Sequence, residues 1–282
     1  MKSGTILLLG ATNSGKSTLV NQIVGKRVSM VSRKKQSTTF NQKAVKNISE
    51  TEFILQDTPG IYSAKTKISN RMTNTAFSAI DEANLILVVV DSGSTKNSEI
   101  DKIIKTLNES NQTTKIFLVL NKTDKVSREM VLEKIKALGD MNLFEEIFPI
   151  SALIGDGVQE MLDIIKKYLP KSEKKFSNKK TLFVSKDVYY TEVTREKLYD
   201  RTHKEIPYEC KITTDKISNS KNAITIHQTI HINKKSHKYI LVGNKGSNLK
   251  SIGESSRLEI SKFMNKKVNL FLFVKLTSIN KS

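Results

Sequence analysis

A glycine-rich motif that follows an apolar segment near the start of the chain constrains the fold more than any other feature of the sequence. Residues 10–17 read G-A-T-N-S-G-K-S, directly after the apolar run T-I-L-L-L at residues 5–9. The run is typical of a buried parallel strand, and residues 18–23 are typical of a helix. Glycines let successive backbone N–H groups surround phosphate oxygens at the positive end of such a helix. The motif therefore predicts a phosphate-binding loop.

Two side chains of this loop suit a nucleoside triphosphate. Lys16 is placed to contact the β- and γ-phosphates, and the Ser17 hydroxyl is placed to bind Mg²⁺. A chance glycine loop is the alternative interpretation, but the strand before the motif and the helix after it argue against that alternative.

The chain is long enough for two domains, and its charge is unevenly distributed between them. Residues 1–170 contain 23 basic and 18 acidic side chains, whereas residues 171–282 contain 24 basic and 10 acidic ones. We expect a nucleotide-binding domain at 1–170, a linker at 171–185 and a second domain at 186–282. The excess of positive charge in the second domain indicates a polyanionic partner, unless those lysines are only a solvated surface.

The cysteine content and the apolar segments limit the class of protein. Cys210 is the only cysteine, which excludes an intrachain disulfide and a cysteine metal cluster. The longest apolar runs, such as residues 85–90, are too short to span a bilayer. No secretory segment fits ahead of the first strand. We expect a protein of the reducing cytosol.

Strand-like and helical segments alternate in the first domain. Apolar strands are predicted at 53–55, 85–90, 116–120 and 147–150, and helices are predicted around 73–81, 99–108, 127–137 and 158–168. This alternation predicts an α/β fold with a mostly parallel, doubly wound sheet. Because ligands bind at the carboxyl ends of the strands in such sheets, the remaining motifs should follow strands.

One motif after the strand at 53–55 has the chemistry of a magnesium and phosphate site. Residues 57–60 read D-T-P-G. Downstream of a phosphate-binding loop, a carboxylate at Asp57 holds Mg²⁺, usually through water, and the N–H of Gly60 approaches the γ-phosphate. Taken alone, the same four residues are also a good turn sequence.

Two further motifs select the base. Residues 121–124 read N-K-T-D, and the ionised Asp124 can accept hydrogen bonds from both N1–H and the 2-amino group of guanine. Asn121 is expected to brace the loop and the Lys122 stem to lie along the base. Ser151 and Ala152 follow the next strand, where a backbone N–H is placed to donate to the guanine carbonyl. These motifs predict GTP rather than ATP.

The predicted nucleotide site therefore spans four segments of the chain. Its residues are Gly10, Asn13, Ser14, Gly15, Lys16, Ser17, Thr18, Asp57, Gly60, Asn121, Lys122, Asp124, Ser151 and Ala152.

The four motifs in this order resemble those of the translation-factor-related GTPases. The segments 32–38 and 79–85 are similar to those of Era-like GTPases, and the similarity continues through 194–197 and 205–208 to a KH-like module. The resemblance implies a GTPase that uses GTP, GDP and Mg²⁺. It also implies that Lys16, Thr38 and Gly60 are catalytic and that Ser17, Thr38 and Asp57 surround the metal. Thr39 is adjacent to Thr38 and competes for its role.

The residue that follows Gly60 bears on the rate of hydrolysis. Ras-like enzymes orient the attacking water with a glutamine near this position, but this chain has Ile61, as Era-like proteins have an apolar residue here. We therefore expect slow intrinsic hydrolysis.

A second glycine motif lies in the basic domain. Residues 243–246 read G-N-K-G between two segments with helical spacing of apolar residues. The elements predicted at 190–204, 208–214, 223–233 and 268–276, with these two helices, give the order α-β-β-α-α-β of an α+β KH-like domain. In that fold Gly243, Asn244, Lys245 and Gly246 approach the backbone of single-stranded RNA. Helix capping by the two glycines is the alternative.

These observations lead to one main hypothesis and two alternatives. The main hypothesis is a GTP-hydrolysing switch that controls RNA binding by the KH domain. The resemblance implies binding to the 3′ end of small-subunit ribosomal RNA and to the small ribosomal subunit during its assembly. We expect a monomer. The first alternative is a nucleotide-stabilised RNA-binding scaffold with incidental hydrolysis. The second is a GTPase that associates peripherally with the inner face of the cell membrane.

Overall fold

The computed structural model describes residues 1–29, 42–58, 79–94, 98–109, 113–176, 186–202 and 210–277. The chain divides into two compact units. The described residues up to 176 belong to the first unit, and those from 186 onward belong to the second. No helix in these ranges is long and apolar enough to cross a membrane.

A six-stranded sheet forms the centre of the first unit. Its strands are β1 (Lys2–Gly10), β2 (Gln42–Ile48), β3 (Thr51–Asp57), β4 (Leu85–Asp91), β5 (Lys115–Asn121) and β6 (Glu146–Pro149). They lie in the order β2-β3-β1-β4-β5-β6, in which only β2 is antiparallel to its neighbour. The accompanying helices are α1 (Lys16–Val24), α2 (Ser98–Glu109), α3 (Arg128–Gly139) and α4 (Val158–Tyr168). The predicted α/β class with a mostly parallel sheet is confirmed.

The central strands are buried on both faces, as their apolar runs predicted. Every residue of β4 from Leu85 to Val90 is buried, although successive side chains point to opposite faces. One face packs on α2 through Ile103 and Leu107. A sheet covered on both faces leaves the carboxyl ends of its strands as the place where polar groups converge.

Strand β2 was not predicted, and its position explains why. It is an edge strand that pairs with β3 through a tight turn in which Ser49 has a positive φ of 51°. Several of its side chains are half-buried, so it lacks the continuous apolar run of a central strand. Of the helix predicted around 73–81, residues 79–81 lie in a turn and the others lie outside the described residues.

The first residues of the predicted linker are attached to the sheet. Lys171 forms an antiparallel bridge with Lys2. The buried carboxylate of Glu52 accepts hydrogen bonds from the backbone N–H groups of Lys175 and Phe176, at 2.8 and 3.1 Å, and from the hydroxyl of Ser3 at 2.6 Å. Residues 171–176 therefore pack against β1 and β3.

The described part of the second unit combines three helices with a three-stranded sheet. In chain order its elements are α5 (Lys186–Arg201), β7 (Cys210–Asn219), β8 (Ala223–Ile232), α6 (Lys235–Val242), α7 (Ser247–Met264) and β9 (Lys267–Leu276). Strand β8 is central, antiparallel to β7 and parallel to β9. All three helices pack on one face of the sheet, against Ile212, Ile230 and Ile232. The order α-β-β-α-α-β is confirmed, with helix α5 beginning four residues earlier than predicted.

Candidate nucleotide site and nucleic-acid interface

The predicted phosphate-binding loop joins β1 to α1. The Lys16 side chain is buried and folds back over the loop, where its Nζ donates to the carbonyl oxygens of Gly10 and Ala11 at 3.0 and 2.9 Å. Gly15 is the N-cap of α1 and supplies no side-chain cap, and the first turn contains no acidic residue. The positive end of the helix therefore faces the loop without a protein anion in that turn, as a phosphate site requires.

Close contacts leave room only for glycine at two positions of the loop. Gly15 has a φ of 99°, and a Cβ on it would lie 2.1 Å from Nδ2 of Asn121. A Cβ on Gly10 would lie 2.4 Å from the carbonyl oxygen of Val89. The hydroxyl of Ser14 is buried and has no hydrogen-bond partner among the described residues. A phosphate oxygen is the kind of acceptor that such a hydroxyl lacks.

Asp57, at the end of β3, lies beside the start of α1. Its Oδ2 accepts a hydrogen bond of 2.7 Å from the hydroxyl of Ser17. Burial raises the pKa of Asp57, while the Lys16 charge and hydrogen bonds from Ser17 and Ser29 oppose that shift. Oδ1 of Asp57 has no hydrogen-bond partner in the described part of the chain. A buried carboxylate with an unused oxygen beside a hydroxyl fits the oxygen ligand set of Mg²⁺.

Asn121 connects the phosphate loop to the predicted guanine loops. Its Nδ2 donates to the carbonyl oxygen of Ser14 at 2.9 Å, and its Oδ1 accepts from the N–H of Ala152, also at 2.9 Å. A third hydrogen bond joins Oδ1 to the N–H of Lys122. The side chain is buried, so it fixes three segments that are far apart in sequence.

Lys122 spans the gap between β5 and the phosphate loop. Its Nζ lies 2.6 Å from the carbonyl oxygen of Asn13 and 2.7 Å from Oδ2 of Asp91. The backbone of Lys122 has a positive φ of 67°. Sequence reasoning missed Asp91, and its only signal was an acidic residue directly after the apolar run 85–90.

The two remaining base-side elements are also joined. The hydroxyl of Ser151 donates to Oδ1 of Asp124 at 2.6 Å, and the N–H of Thr123 donates to the carbonyl oxygen of Ile150 at 3.2 Å. Asp124 lies in a short 3₁₀ turn after β5. Its carboxylate is thus held beside the Ser151–Ala152 segment. The edge of one base can therefore contact the carboxylate and this segment together.

The structure brings most of the predicted nucleotide site together at one edge of the sheet. Thr18 lies in the first turn of α1, next to Ser17. Thr38, its alternative Thr39, Gly60 and Ile61 lie outside the described residues.

The second glycine motif forms a tight loop between α6 and α7. Gly243 and Gly246 have φ angles of 74° and 82°, and Lys245 between them has a φ of 48°. The N–H of Gly243 donates to the carbonyl oxygen of Tyr239 at 2.9 Å. Apart from Gly246, its chain neighbours and the adjoining helix backbone, no atom of the described residues lies within 4 Å of the position that a Cβ on Gly246 would occupy. The outer side of the loop is therefore open to a ligand backbone.

A groove runs from this loop between α7 and the edge strand β9. Its lining residues are Gly246, Leu249, Lys250, Gly253, Glu254, Arg257, Leu270 and Leu272. The helix residues recur at intervals of three and four, which places them on one face of α7. Of these residues, only Gly246 was predicted from the sequence to contact RNA. The spacing of Leu249, Gly253 and Arg257 was the signal that could have found the others.

Two family models match the chain. A model described as a 50S ribosome-binding GTPase matches residues 5–122, which contain the phosphate loop, and a KH domain model matches residues 205–278.

Curated relatives align along almost the whole chain. GTPase Era of Syntrophus aciditrophicus (strain SB) is 38% identical over 277 residues, which cover 98% of this chain and 90% of that protein. GTPase Era of Rhizobium meliloti (strain 1021) is 36% identical over 276 residues, with 98% and 88% covered.

Two solved structures have the same fold. One is a variant of Aquifex aeolicus Era bound to GDP and AlF4⁻, and the other is Era in complex with MgGDPNP and nucleotides 1506–1542 of 16S ribosomal RNA. Each has a TM-score of 0.91 and 31% identity to this chain. Each match covers 98% of this chain and 94% of the solved chain. The identity to the curated relatives over nearly the full length, with a GTPase module followed by a KH module, shows that the chain belongs to the GTPase Era family.

Proposed function

We propose that this protein is a GTP-hydrolysing switch whose KH domain binds single-stranded RNA at the 3′ end of small-subunit ribosomal RNA during assembly of the small subunit. The proposal depends on the hydrogen bonds by which Asn121 links the phosphate loop to the guanine loops. The same chain also has an open G-N-K-G loop. The solved Era complex with 16S ribosomal RNA nucleotides supports the choice of RNA.

The chain's own groups have separate tasks in binding the nucleotide. The loop from Gly10 to Thr18 surrounds the phosphates, and Lys16 exchanges its contacts with Gly10 and Ala11 for phosphate oxygens. Asp124 accepts from the guanine N1–H and 2-amino group, and the Ala152 segment lies beside the base carbonyl. Lys122 lies along the base while its Nζ remains paired with Asp91.

Ser17, Asp57 and Thr38 are the residues that would hold Mg²⁺. The ion, when bound, neutralises charge that develops on the phosphate oxygens. The hydroxyl of Ser17 and the unpartnered Oδ1 of Asp57 supply oxygen atoms of the kind that Mg²⁺ prefers.

Intrinsic hydrolysis is slow in this proposal because no glutamine follows Gly60. Ile61 cannot orient water by hydrogen bonding, so Lys16 and the N–H of Gly60 stabilise charge while another group positions the water.

The proposal is tested by the affinity of the full chain for an RNA oligonucleotide that carries the 3′ end of small-subunit ribosomal RNA. We expect tighter binding with a non-hydrolysable GTP analogue than with GDP. The variant Lys245→Glu should weaken RNA binding in both states while GTP turnover remains, because the loop then repels phosphates. Lys136→Glu, a charge reversal at an exposed lysine of α3 in the other domain, is the matched control. Equal RNA affinity for Lys245→Glu and the wild type would exclude the G-N-K-G loop from the RNA-binding site.

The scaffold alternative keeps the same sites and differs in the role of hydrolysis. Single-turnover GTP hydrolysis with and without RNA or small subunits separates the two. Stimulation favours the switch, and an unchanged rate favours the scaffold.

The proposal extends to organisation and location. We place the GTPase domain at residues 1–170, the linker at 171–185 and the KH domain at 186–282, in a cytoplasmic monomer. Peripheral contact with the inner face of the membrane is the further extension, and the basic charge of residues 171–282 is its support. Flotation with anionic vesicles tests it, and sedimentation tests the oligomeric state.

A further inference from the structure

The sheet of the second unit has an outer face that its helices do not cover. Alternate residues of β8 are buried, beginning with Ile224. The intervening residues, among them His227 and His231, point to the opposite face. The buried cluster that contains Ile230 and Ile232 packs on the helix side of the sheet.

Three rings form a stripe on this outer face. Phe271 pairs in register with His227, and Phe273 pairs with Thr229. The His227 ring lies 4.9 Å from the Phe271 ring and 6.2 Å from the Phe273 ring, with interplanar angles of 17° and 8°. Phe271 is 48% exposed and Phe273 is 53% exposed. We call His227, Phe271 and Phe273 the aromatic stripe.

Positive charge surrounds the aromatic stripe. Lys216 pairs in register with His227, and His231 pairs with Lys211 on one side and Lys275 on the other. All three lysines are exposed, and none forms an ion pair with a residue in the described ranges.

One carboxylate lies on the same face and is already engaged. Asp215 sits at an irregularity of β7, and its oxygens accept hydrogen bonds from the hydroxyls of Thr213 and Thr229. Lys267, which pairs in register with Ala223, lies on the same face. The strand residues of this face therefore have four lysines against one carboxylate, and the face is positive.

We propose that the outer sheet face is a second RNA-binding surface, on which unpaired bases stack on the aromatic stripe and phosphates contact Lys211, Lys216 and Lys275. Surfaces that bind single strands combine aromatic platforms with basic side chains in this way. Protein interfaces are instead depleted in lysine at their centres, and a second copy of this chain would bring a net charge of +19 against a basic face.

The second surface and the G-N-K-G groove lie on opposite faces of one edge strand. Leu270 and Leu272 of β9 line the groove, whereas Phe271 and Phe273 point to the outer face. One RNA strand that crosses the edge of β9 reaches both surfaces. The inference therefore goes beyond the proposed function, because it adds a contact that the groove does not supply.

The absence of tryptophan from the sequence allows a direct test. In Phe271→Trp the only indole lies in the aromatic stripe, and titration of the full chain with oligouridylate of about 12 nucleotides should quench its fluorescence saturably. The quench should persist with Lys245→Glu added, because that change weakens only the groove. Leu132→Trp, at an exposed site on α3, is the control reporter and should not respond.

Two further variants separate base stacking from general apolar contact. In the Lys245→Glu background, Phe271→Tyr should retain the affinity for the oligouridylate, whereas Phe271→Leu should lower it about tenfold because leucine has no π face. The Leu variant keeps an apolar strand residue, so both chains should fold alike by circular dichroism.

Several results would overturn the inference. One is an unquenched Phe271→Trp at RNA concentrations that saturate the protein. Another is equal RNA affinity of the Tyr and Leu variants. A change of Trp emission with protein concentration alone would assign the face to a second copy. Weaker binding of Phe271→Leu to small subunits, with unchanged RNA affinity, would assign it to a protein. A quench that survives in Lys245→Glu while that variant keeps full affinity for the ribosomal RNA end would remove the KH groove proposal and leave this one standing.

Discussion

Nδ2 of Asn121 donates a hydrogen bond of 2.9 Å to the carbonyl oxygen of Ser14, across 107 residues of sequence. This contact fixes the phosphate loop against the end of β5. Because the Oδ1 of the same side chain accepts from Ala152, the phosphate side and the base side of the nucleotide site share one buried amide.

Replacement of that amide should weaken GTP and GDP binding together. Asn121→Ala leaves the Ser14 carbonyl and the Ala152 N–H without their partners, and each such buried group costs about 1–3 kcal/mol. We expect a loss of thermal stability and a similar fold loss of affinity for both nucleotides, measured by calorimetry. Asn84→Ala is the control, because Asn84 accepts from the N–H of Thr5 near the other end of β1. It should lower stability only, and a selective loss of GTP affinity in Asn121→Ala would contradict the shared role.

Two glycine-to-alanine changes should have opposite effects. Gly15→Ala places a Cβ 2.1 Å from Nδ2 of Asn121 at a φ of 99°, so we expect destabilisation and loss of nucleotide binding. Gly139→Ala lies at the end of α3, where the nearest atom is Cδ1 of Ile147 at an ordinary 3.5 Å. Alanine is favoured over glycine in a helix by about 1 kcal/mol, so this variant should be neutral or stabilised. Equal melting temperatures for the two variants would contradict the geometry of the loop.

Asp57→Asn should separate stability from metal dependence. Burial raises the pKa of Asp57, because desolvation of the ionised carboxylate outweighs the Lys16 charge and the hydrogen bonds that favour it. The neutral amide should therefore leave the nucleotide-free protein at least as stable as the wild type. The tightening of GTP binding by Mg²⁺, measured against EDTA, should fall about 10–100-fold. Full Mg²⁺ dependence in the variant would exclude Asp57 from the metal site.

The central strands and the motifs after them were predictable because their signals are local. Apolar runs predicted β1, β4 and β5, and each motif follows the carboxyl end of a strand. Strand β2 was not predictable in this way, since it is a half-buried edge strand that depends on pairing with β3. The contacts of Asn121 and the pairing of Lys122 with Asp91 join residues distant in sequence, so they required the fold itself.

In the second unit, too, local motifs were predictable and contacts between distant residues were not. The G-N-K-G motif predicted the loop, but the groove beside it depends on the register between α7 and β9. Strand β9 has apolar side chains on both of its faces, so its sequence does not tell which face is buried. The packing of the helices on the other face leaves Phe271 and Phe273 exposed.

The stability that Glu192 contributes to the KH domain should fall as pH rises above 4.5. Burial raises the pKa of Glu192 above its ordinary 4.5, and Arg195 opposes the shift. The folded domain thus keeps a proton that the unfolded chain releases, and the stability contributed by this group falls as pH rises from 4.5 through the folded pKa. The pKa is measurable by carbon NMR of the carboxyl group. The free energy of unfolding of Glu192→Gln should increase relative to that of the wild type as pH rises across that window. Urea unfolding, followed by signals from the core of the KH domain, measures this difference. A constant difference across the window would contradict the raised pKa.

Asp124→Asn should change the base that the protein selects. The carboxylate of Asp124 accepts from the Ser151 hydroxyl at 2.6 Å, and its remaining lone pairs are the acceptors for guanine N1–H and the 2-amino group. An amide offers an NH₂ donor in place of one acceptor, so it repels the guanine amino group and suits the 2-carbonyl of xanthine. Each lost hydrogen bond to a charged group costs about 1.5–3 kcal/mol, so GTP affinity should fall at least about tenfold while XTP affinity rises. Ser151→Ala is the control: it removes a neighbour of the carboxylate without changing its acceptors, so it should weaken GTP binding slightly and leave the preference over XTP intact. If Asp124→Asn bound GTP as tightly as the wild type, guanine would have to be recognised by backbone groups near Ala152 alone.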